Sequence, residues 1–146
     1  MRPRNVGMAA AVGACGATAL SILNPVSAYA SNPNTSGPIG STGCRVQAYV
    51  PRLVDNNEAI AGRGRLTCDH NTSMLVTVDI QKYANGQWQS TGVAESTVLY
   101  SNLANGPTDD TTYLGCAGLS GAHKYKTVVS AGNVVVGSDQ VSLTCS

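Results

Sequence analysis

Residues with catalytic side chains are few in this sequence, and they stand far apart. His70 follows Asp69 in the turn-like stretch "CDHNTS", and His123 lies two residues before Tyr125. A catalytic triad needs a nucleophile, a base and an orienting group that converge in space. No G-x-S-x-G, H-E-x-x-H, P-loop or glycine-rich dinucleotide turn is present. We therefore interpret both histidines as exposed loop residues, and predict no catalytic residue and a protein that is not an enzyme.

Metal-binding patterns are equally weak. Asp109 and Asp110 are adjacent, and adjacent side chains on an extended chain point to opposite sides. Calcium binding at "PTDDTT" is an alternative because hard oxygen ligands are present, but the stretch lacks a full calcium-loop pattern. Zinc is disfavoured because there is no C-x-x-C pair and the two histidines are distant in sequence. The sequence therefore predicts neither a metal site nor a cofactor.

The first 30 residues have the pattern of a secretory signal peptide. Arg2 and Arg4 form a basic head, an Ala- and Val-rich stretch follows, and Ala28-Tyr29-Ala30 is typical of a cleavage site. Glycines and Pro25 interrupt the apolar stretch, which disfavours a membrane-spanning helix. Lipidation at Cys15 is a weaker alternative because the apolar stretch continues beyond it. We therefore predict a secreted, extracellular protein with no membrane contact after cleavage.

The cysteines indicate covalent stabilisation of the exported chain. Cys15 falls within the signal, which leaves an even set of four: Cys44, Cys68, Cys116 and Cys145. Such a set in an exported domain favours two disulfides. Three pairings are open, and we favour Cys44 with Cys68 and Cys116 with Cys145, each contributing about 3 kcal/mol. The antibody-type alternative joins Cys68 to Cys116.

Composition and charge restrict the function classes. Removing Arg2 and Arg4 from the nine basic residues leaves seven against eight acidic ones, a net charge of minus one. This balance argues against binding to nucleic acid or to an anionic membrane. The chain contains no Phe and one Trp. The remaining Val-, Thr-, Ser- and Gly-rich composition is typical of a β-protein.

Alternation of apolar and polar residues predicts an all-β fold over residues 44–146. The stretches "CRVQAYV" and "MLVTVDIQKY" alternate with a period of two, and Asn85-Gly86 is typical of a tight hairpin. Gly62 and Gly64 in "GRGRLTC" indicate a bulge or a close backbone approach. Leu119 and Tyr125 match the spacing of a tyrosine corner, a structural feature in which the hydroxyl bonds to nearby backbone. We predict an immunoglobulin-like two-sheet sandwich.

Three segments outside the predicted strands are candidate binding surfaces. Residues 31–43 form a polar stretch, predicted to be a flexible N-terminal arm that is either disordered or ordered in a partner's cleft. In this arm Asn34, Pro38 and Ile39 are candidate partner-binding residues, with Ile39 as the apolar anchor. The other two segments are polar loops, residues 51–59 and 101–110. Arg52 and Leu53 are the candidate partner-binding residues of the first loop.

Four stretches resemble small exported β-sandwich proteins of actinobacteria: "GCRVQAYV", "GRGRLTC", "LVTVDIQKYANGQW" and "GAHKYKTVVSA". Within that group the sequence resembles the adaptor subunits of umbrella toxin particles. The resemblance implies an adaptor that joins a lectin subunit to a large repeat-containing secreted toxin, with residues 31–43 as the arm that enters the lectin. The alternative is a secreted serine-protease inhibitor that presents Arg52 to a trypsin-like pocket.

Overall fold

A computed structural model of the chain describes residues 32–146, and the predicted signal peptide, residues 1–30, lies outside them. The described part forms ten β-strands and no helix. The strands are β1 Asn34–Thr35, β2 Cys44–Val54, β3 Ala59–Cys68, β4 Thr72–Ala84, β5 Gln87–Ser90, β6 Glu95–Ser101, β7 Thr108–Gly115, β8 Ala122–Ala131, β9 Val134–Gly137 and β10 Val141–Thr144.

The strands form two antiparallel sheets. Sheet A has the order β1-β2-β3-β7, and sheet B has the order β10-β8-β4-β5. In sheet B, β6 also pairs with β4, and β9 also pairs with β8. The predicted all-β, two-sheet sandwich is confirmed.

The sheets approach closely at two glycines of β3. A Cβ atom on Gly62 would lie 2.7 Å from Cγ1 of Ile80, and one on Gly64 would lie 2.8 Å from Cγ2 of Val78. Both apolar partners belong to the opposite sheet, and both are fully buried. The predicted close approach is therefore confirmed, and glycine is required because no side chain fits between the sheets.

Both predicted disulfides are present. Cys44 and Cys68 are register partners on β2 and β3, so their bridge lies within sheet A. Cys116 follows β7 and Cys145 follows β10, so the second bridge joins one sheet to the other. The favoured pairing is confirmed and the antibody-type alternative is wrong, because Cys68 lies beside Cys44 on the neighbouring strand.

The predicted flexible arm is wrong for residues 34–43, which lie against the sandwich. Asn34 and Thr35 form β1 and pair with Ala48 and Gln47 of β2. Ile39 is only 3% exposed and belongs to the core cluster that contains Cys44, Val46 and Leu66. The physical reason is that burial of one isoleucine and backbone pairing with β2 together compensate the entropy lost by a short polar segment.

The predicted loop at residues 51–59 is also wrong in part. Strand β2 continues to Val54, and Arg52, Leu53 and Val54 pair with β3 after a register shift that follows Tyr49. Pro51 lies at this irregularity and is buried. A bulge allows a strand to continue past a proline because the missing N–H falls outside the regular ladder. Only the tight turn that follows Val54 connects β2 to β3.

The hairpin and the tyrosine corner differ in how closely they match prediction. Asn85 and Gly86 have positive φ angles of 53° and 79° and join β4 to β5, as predicted. Tyr125 is buried in the second core cluster with Ile60 and Ile80. Within residues 32–146 its hydroxyl makes no hydrogen bond, so the side chain is held by core packing and by an edge contact with the ring of His123.

Candidate binding surfaces on the outer faces of the sandwich

The predicted partner-binding residues do not form one site. Asn34 donates hydrogen bonds from Nδ2 to the carbonyl oxygen of Gly137 and, at 3.2 Å, to Oδ1 of Asp139. Ile39 is buried in one core cluster, and Leu53 packs against the other. Asn34 and Ile39 therefore hold the N-terminal segment against the sandwich and are not available as partner-binding residues in this structure.

The segment that the inhibitor hypothesis requires is part of a strand. Arg52 is exposed, but its backbone pairs with Ala61 of β3, and Leu53 is half-buried. A protease-binding loop must project its backbone into the enzyme's cleft, whereas the backbone of Arg52 and Leu53 is paired with β3. No projecting loop surrounds Arg52.

The two histidines lie apart and make local contacts. Nδ1 of His70 contacts Oδ1 of Asp69, and Nε2 of His123 lies 2.8 Å from the carbonyl oxygen of Ser120. No hydroxyl or thiol among the described residues extends the His70 pair into a triad. Within the same residues no cluster of three or more His, Cys, Asp or Glu side chains is arranged to hold a metal ion. Nor does any helix of residues 32–146 reach the length and hydropathy needed to cross a membrane.

Sheet B carries an exposed apolar cluster on its outer face at the end where β4 begins. Its members are Leu75, Val98 and Tyr100 on β4 and β6, and Leu103 in the loop after β6, which are 57%, 64%, 52% and 66% exposed. We call these four residues the apolar patch. They are four of the seven large apolar or aromatic residues that are exposed in the described part. Exposed apolar side chains are ordinary when scattered, but a cluster of this kind typically marks a binding surface.

Strand pairing builds the apolar patch. Leu75 on β4 lies directly opposite Val98 on β6. Tyr100 of β6 lies opposite Ser73, which is two residues before Leu75 on β4. Opposing residues of an antiparallel pair have Cβ atoms about 5 Å apart, so Leu75, Val98 and Tyr100 are neighbours on one face. The backbone N–H of Leu103 donates to Oδ1 of Asn71, which holds the loop after β6 close to the start of β4.

Polar side chains border the patch along β4. Next to the patch, the hydroxyls of Thr77 and Ser96 are hydrogen-bonded at 2.7 Å. Further along, Ser90 donates to Oδ1 of Asp79 at 3.0 Å. The patch is therefore an apolar area bounded by polar side chains, as in the core and rim of many protein interfaces.

The outer face of sheet A has the opposite character. It carries Arg45 and Arg52 on β2 and Arg63 and Arg65 on β3, which are all the arginines of residues 32–146. The register places Arg63 opposite Tyr49 and Arg65 opposite Gln47. We call these four arginines, together with Tyr49 and Tyr113, the arginine face.

Two of these arginines are held in place by a carboxylate and an aromatic ring. Arg65 makes two hydrogen bonds to Asp109, of 2.6 Å and 3.1 Å, and Nη1 of Arg63 lies 3.8 Å from the same carboxylate. The hydrogen bonds to Asp109 raise the pKa of Arg65 above its usual value, although partial burial opposes the shift. The guanidinium carbon of Arg63 stacks 3.9 Å from the centre of the Tyr49 ring. These contacts hold the planar guanidinium groups of Arg63 and Arg65 in place on the solvent-facing side of the sheet.

Sequence reasoning did not identify either surface. Leu75 and Val98 come from strands separated by β5, and only the register of β4 with β6 brings them together. The alternation in "CRVQAYV" does place Arg45 and Tyr49 on the outer face, but the alignment with Arg63 and Arg65 depends on the pairing of β2 with β3.

These features define residues 32–146 as a β-sandwich held by two disulfides, with an apolar patch on one outer face and an arginine face on the other. The disulfides are consistent with an extracellular protein. Comparison with protein-family models and with curated proteins gave no match.

Proposed function

We propose that this protein is a secreted, non-enzymatic binding or adaptor protein that docks another exported protein through the apolar patch. The observation that supports this proposal most strongly is the clustering of Leu75, Val98 and Tyr100 on one strand pair, with Leu103 in the loop that follows β6, each more than half exposed. Covering such side chains releases about 25 cal/mol for each Å² of apolar surface removed from water. The patch therefore provides a favourable contribution to binding.

The composition of the patch favours a protein partner over a small ligand. Leu75, Val98 and Tyr100 lie on the outer face of a sheet, and the depression beside Leu75 is open to solvent and does not enclose a small molecule. Tyr100 adds a large, rigid ring of the type enriched at the centre of protein interfaces. A partner that brings a complementary apolar surface would exclude water from all four side chains together.

A finer form of the proposal follows from the sequence resemblance to adaptor subunits of umbrella toxin particles. In that form the partners are a lectin subunit and a large repeat-containing toxin. The resemblance implies that the N-terminal segment enters the lectin, but residues 34–39 are packed against this protein's own sandwich. Ile39 is buried in this structure, so the segment would have to leave β2 before it used Ile39 as an anchor.

The test is quantitative capture of partners from the culture supernatant of the producing organism. The substitutions Leu75→Thr and Val98→Thr keep side chains of good strand propensity and remove apolar surface. The matched control is Val135→Thr, since Val135 is 70% exposed on the same sheet but belongs to β9 and lies outside the patch.

We expect the double variant to lose at least tenfold in affinity for a captured protein, because residues at an interface centre typically contribute more than about 1 kcal/mol each. The control should bind like the natural protein. Equal capture by all three proteins, or equal loss in the control, would contradict docking at the patch. Self-association that disappears in the double variant would show that the occupant is a second copy of this chain, which also contradicts the proposal.

A further inference from the structure

We infer that the arginine face binds an acidic segment of another polypeptide chain. This inference extends the proposed function by adding a second docking surface, on the sheet opposite the apolar patch. It rests on the proposed function only in that both describe a binding protein. The two surfaces share no residue, so each is tested by its own variants.

The distribution of cations is strongly uneven. All four arginines of residues 32–146 lie on the outer face of sheet A, whereas Lys82, Lys124 and Lys126 belong to strands of sheet B. The chain after residue 30 has a net charge of minus one. The arginine face is therefore a local concentration of positive charge on a protein that is close to neutral, and such a concentration attracts opposite charge.

One carboxylate lies on this face, and it neutralises only part of the charge. Asp109 of β7 pairs with Arg65 and contacts Arg63. The next residue, Asp110, is the register partner of buried Gly64 and therefore faces the core side of the sheet. The three guanidinium groups of Arg45, Arg63 and Arg65 against this one carboxylate leave an excess of two positive charges.

Acidic residues also lie just beyond the ends of the face. Asp55 and Glu58 belong to the turn between β2 and β3, and Asp69 follows β3. Asp69 contacts His70, and so its carboxylate already has a partner. These residues delimit the positive area along the strands, which gives a bound anionic segment a defined extent.

The dimensions fit an extended polypeptide segment. Strands β2, β3 and β7 are neighbours, so the face is about 10 Å wide, and the eight residues from Arg45 to Arg52, which include the bulge, extend about 20 Å along it. An extended segment of about six residues has the same length. A globular partner would need a larger area, since stable interfaces bury about 800 Å² on each side.

The side-chain types favour carboxylates on a peptide. Arginine binds a carboxylate through two parallel N–H donors, and the Arg65–Asp109 pair shows that this face supports such geometry. Tyr49 and the 57% exposed Tyr113 add flat surfaces that contact backbone and apolar side-chain groups of a peptide. Phosphate polymers also bind arginine, and the experiment distinguishes them from acidic peptides by comparing the affinities of the two kinds of ligand.

Arg45 is the best position to test. Its side chain is exposed and makes no hydrogen bond or ion pair with another described residue. Its removal therefore leaves the Arg65–Asp109 contacts in place. The matched control is Lys124→Gln, which removes one exposed positive charge from sheet B.

The experiment measures binding of short poly-L-glutamate to the folded full-length secreted protein by fluorescence anisotropy, at about 50 mM and about 150 mM salt. We expect Arg45→Gln to weaken binding about threefold and the double variant Arg45→Gln with Arg63→Gln about tenfold, with Lys124→Gln unchanged. Higher salt should weaken binding of the natural protein. Circular dichroism of each variant should match that of the natural protein.

Three outcomes would overturn the inference. Absence of poly-L-glutamate binding at low salt would exclude an acidic segment as the ligand. Equal weakening by Lys124→Gln would show a response to net charge and not to this face. Tighter binding of heparin or double-stranded DNA than of poly-L-glutamate would assign the face to an anionic polymer of another class. None of these results affects capture through the apolar patch, so the two claims fail separately.

Discussion

Replacing Ile39 by alanine should destabilise the whole protein, although Ile39 lies in a segment whose sequence looks disordered. Ile39 is 3% exposed, packs in the core cluster with Cys44 and Val46, and approaches Gly132 so closely that a Cβ there would lie 2.9 Å from its Cγ2. The substitution removes three carbon atoms, at about 0.8 kcal/mol each. With the cavity that remains, we expect a loss of about 3 kcal/mol.

The assay is urea unfolding followed by the fluorescence of Trp88, with both disulfides oxidised. Trp88 is the single tryptophan, and it lies on β5, where its ring packs edge-on against Tyr83 at 5.3 Å. It therefore reports global unfolding at a distance from the substitution. The loss corresponds to a decrease of about 10 °C in melting temperature.

A matched control is Ser41→Ala, which changes an exposed residue in the same segment. This variant should unfold within about 0.5 kcal/mol of the natural protein. If Ile39→Ala also fell within that range, the segment would not be packed on the sandwich, and the reasoning that corrects the flexible-arm prediction would be refuted.

Two further predictions concern the core. Gly64→Ala should lower the free energy of unfolding in urea by about 2 kcal/mol, because its Cβ would lie 2.8 Å from Val78 and 2.9 Å from Val129. The control Gly115→Ala, which has no heavy atom within 4 Å of its Cβ, should lower it by less than about 0.5 kcal/mol. Equal losses in the two variants would refute the close approach of the sheets. Burial raises the pKa of Tyr125 above its ordinary value of 10.0, so the folded state holds this proton more tightly and its contribution to stability is lost as pH rises above about 10. Tyr125→Phe should therefore show a smaller loss of stability in alkaline urea titrations, with a change below about 0.5 kcal/mol at neutral pH; a larger neutral loss would indicate a hydrogen bond from the hydroxyl.

The sequence predicted the features that depend on local pattern. Alternation identified the strands, Asn85-Gly86 identified the hairpin, and the even set of cysteines identified two disulfides. The favoured disulfide pairing was also correct, although only Cys44–Cys68 joins neighbouring strands, whereas Cys116–Cys145 joins the two sheets. These features are encoded in short windows of sequence, where local preferences act directly.

The features that were missed depend on contacts between distant residues. Ile39 stands alone among polar residues, so periodicity gives no sign that it is buried, and its burial results from packing beside Gly132. Pro51 indicated the end of a strand, but the bulge after Tyr49 let β2 continue. The apolar patch results from the register between β4 and β6, which a single sequence does not specify.

The most direct test of the central claim is site-specific photocrosslinking during exposure to the culture supernatant. A photoreactive aromatic residue is placed at position 98 within the apolar patch or, as a control, at position 135 on the same sheet. Docking at the patch predicts a crosslink from position 98 to one exported protein and none from position 135. Crosslinks of equal yield from both positions, or none from position 98 while the partner is still captured, would contradict docking at the apolar patch.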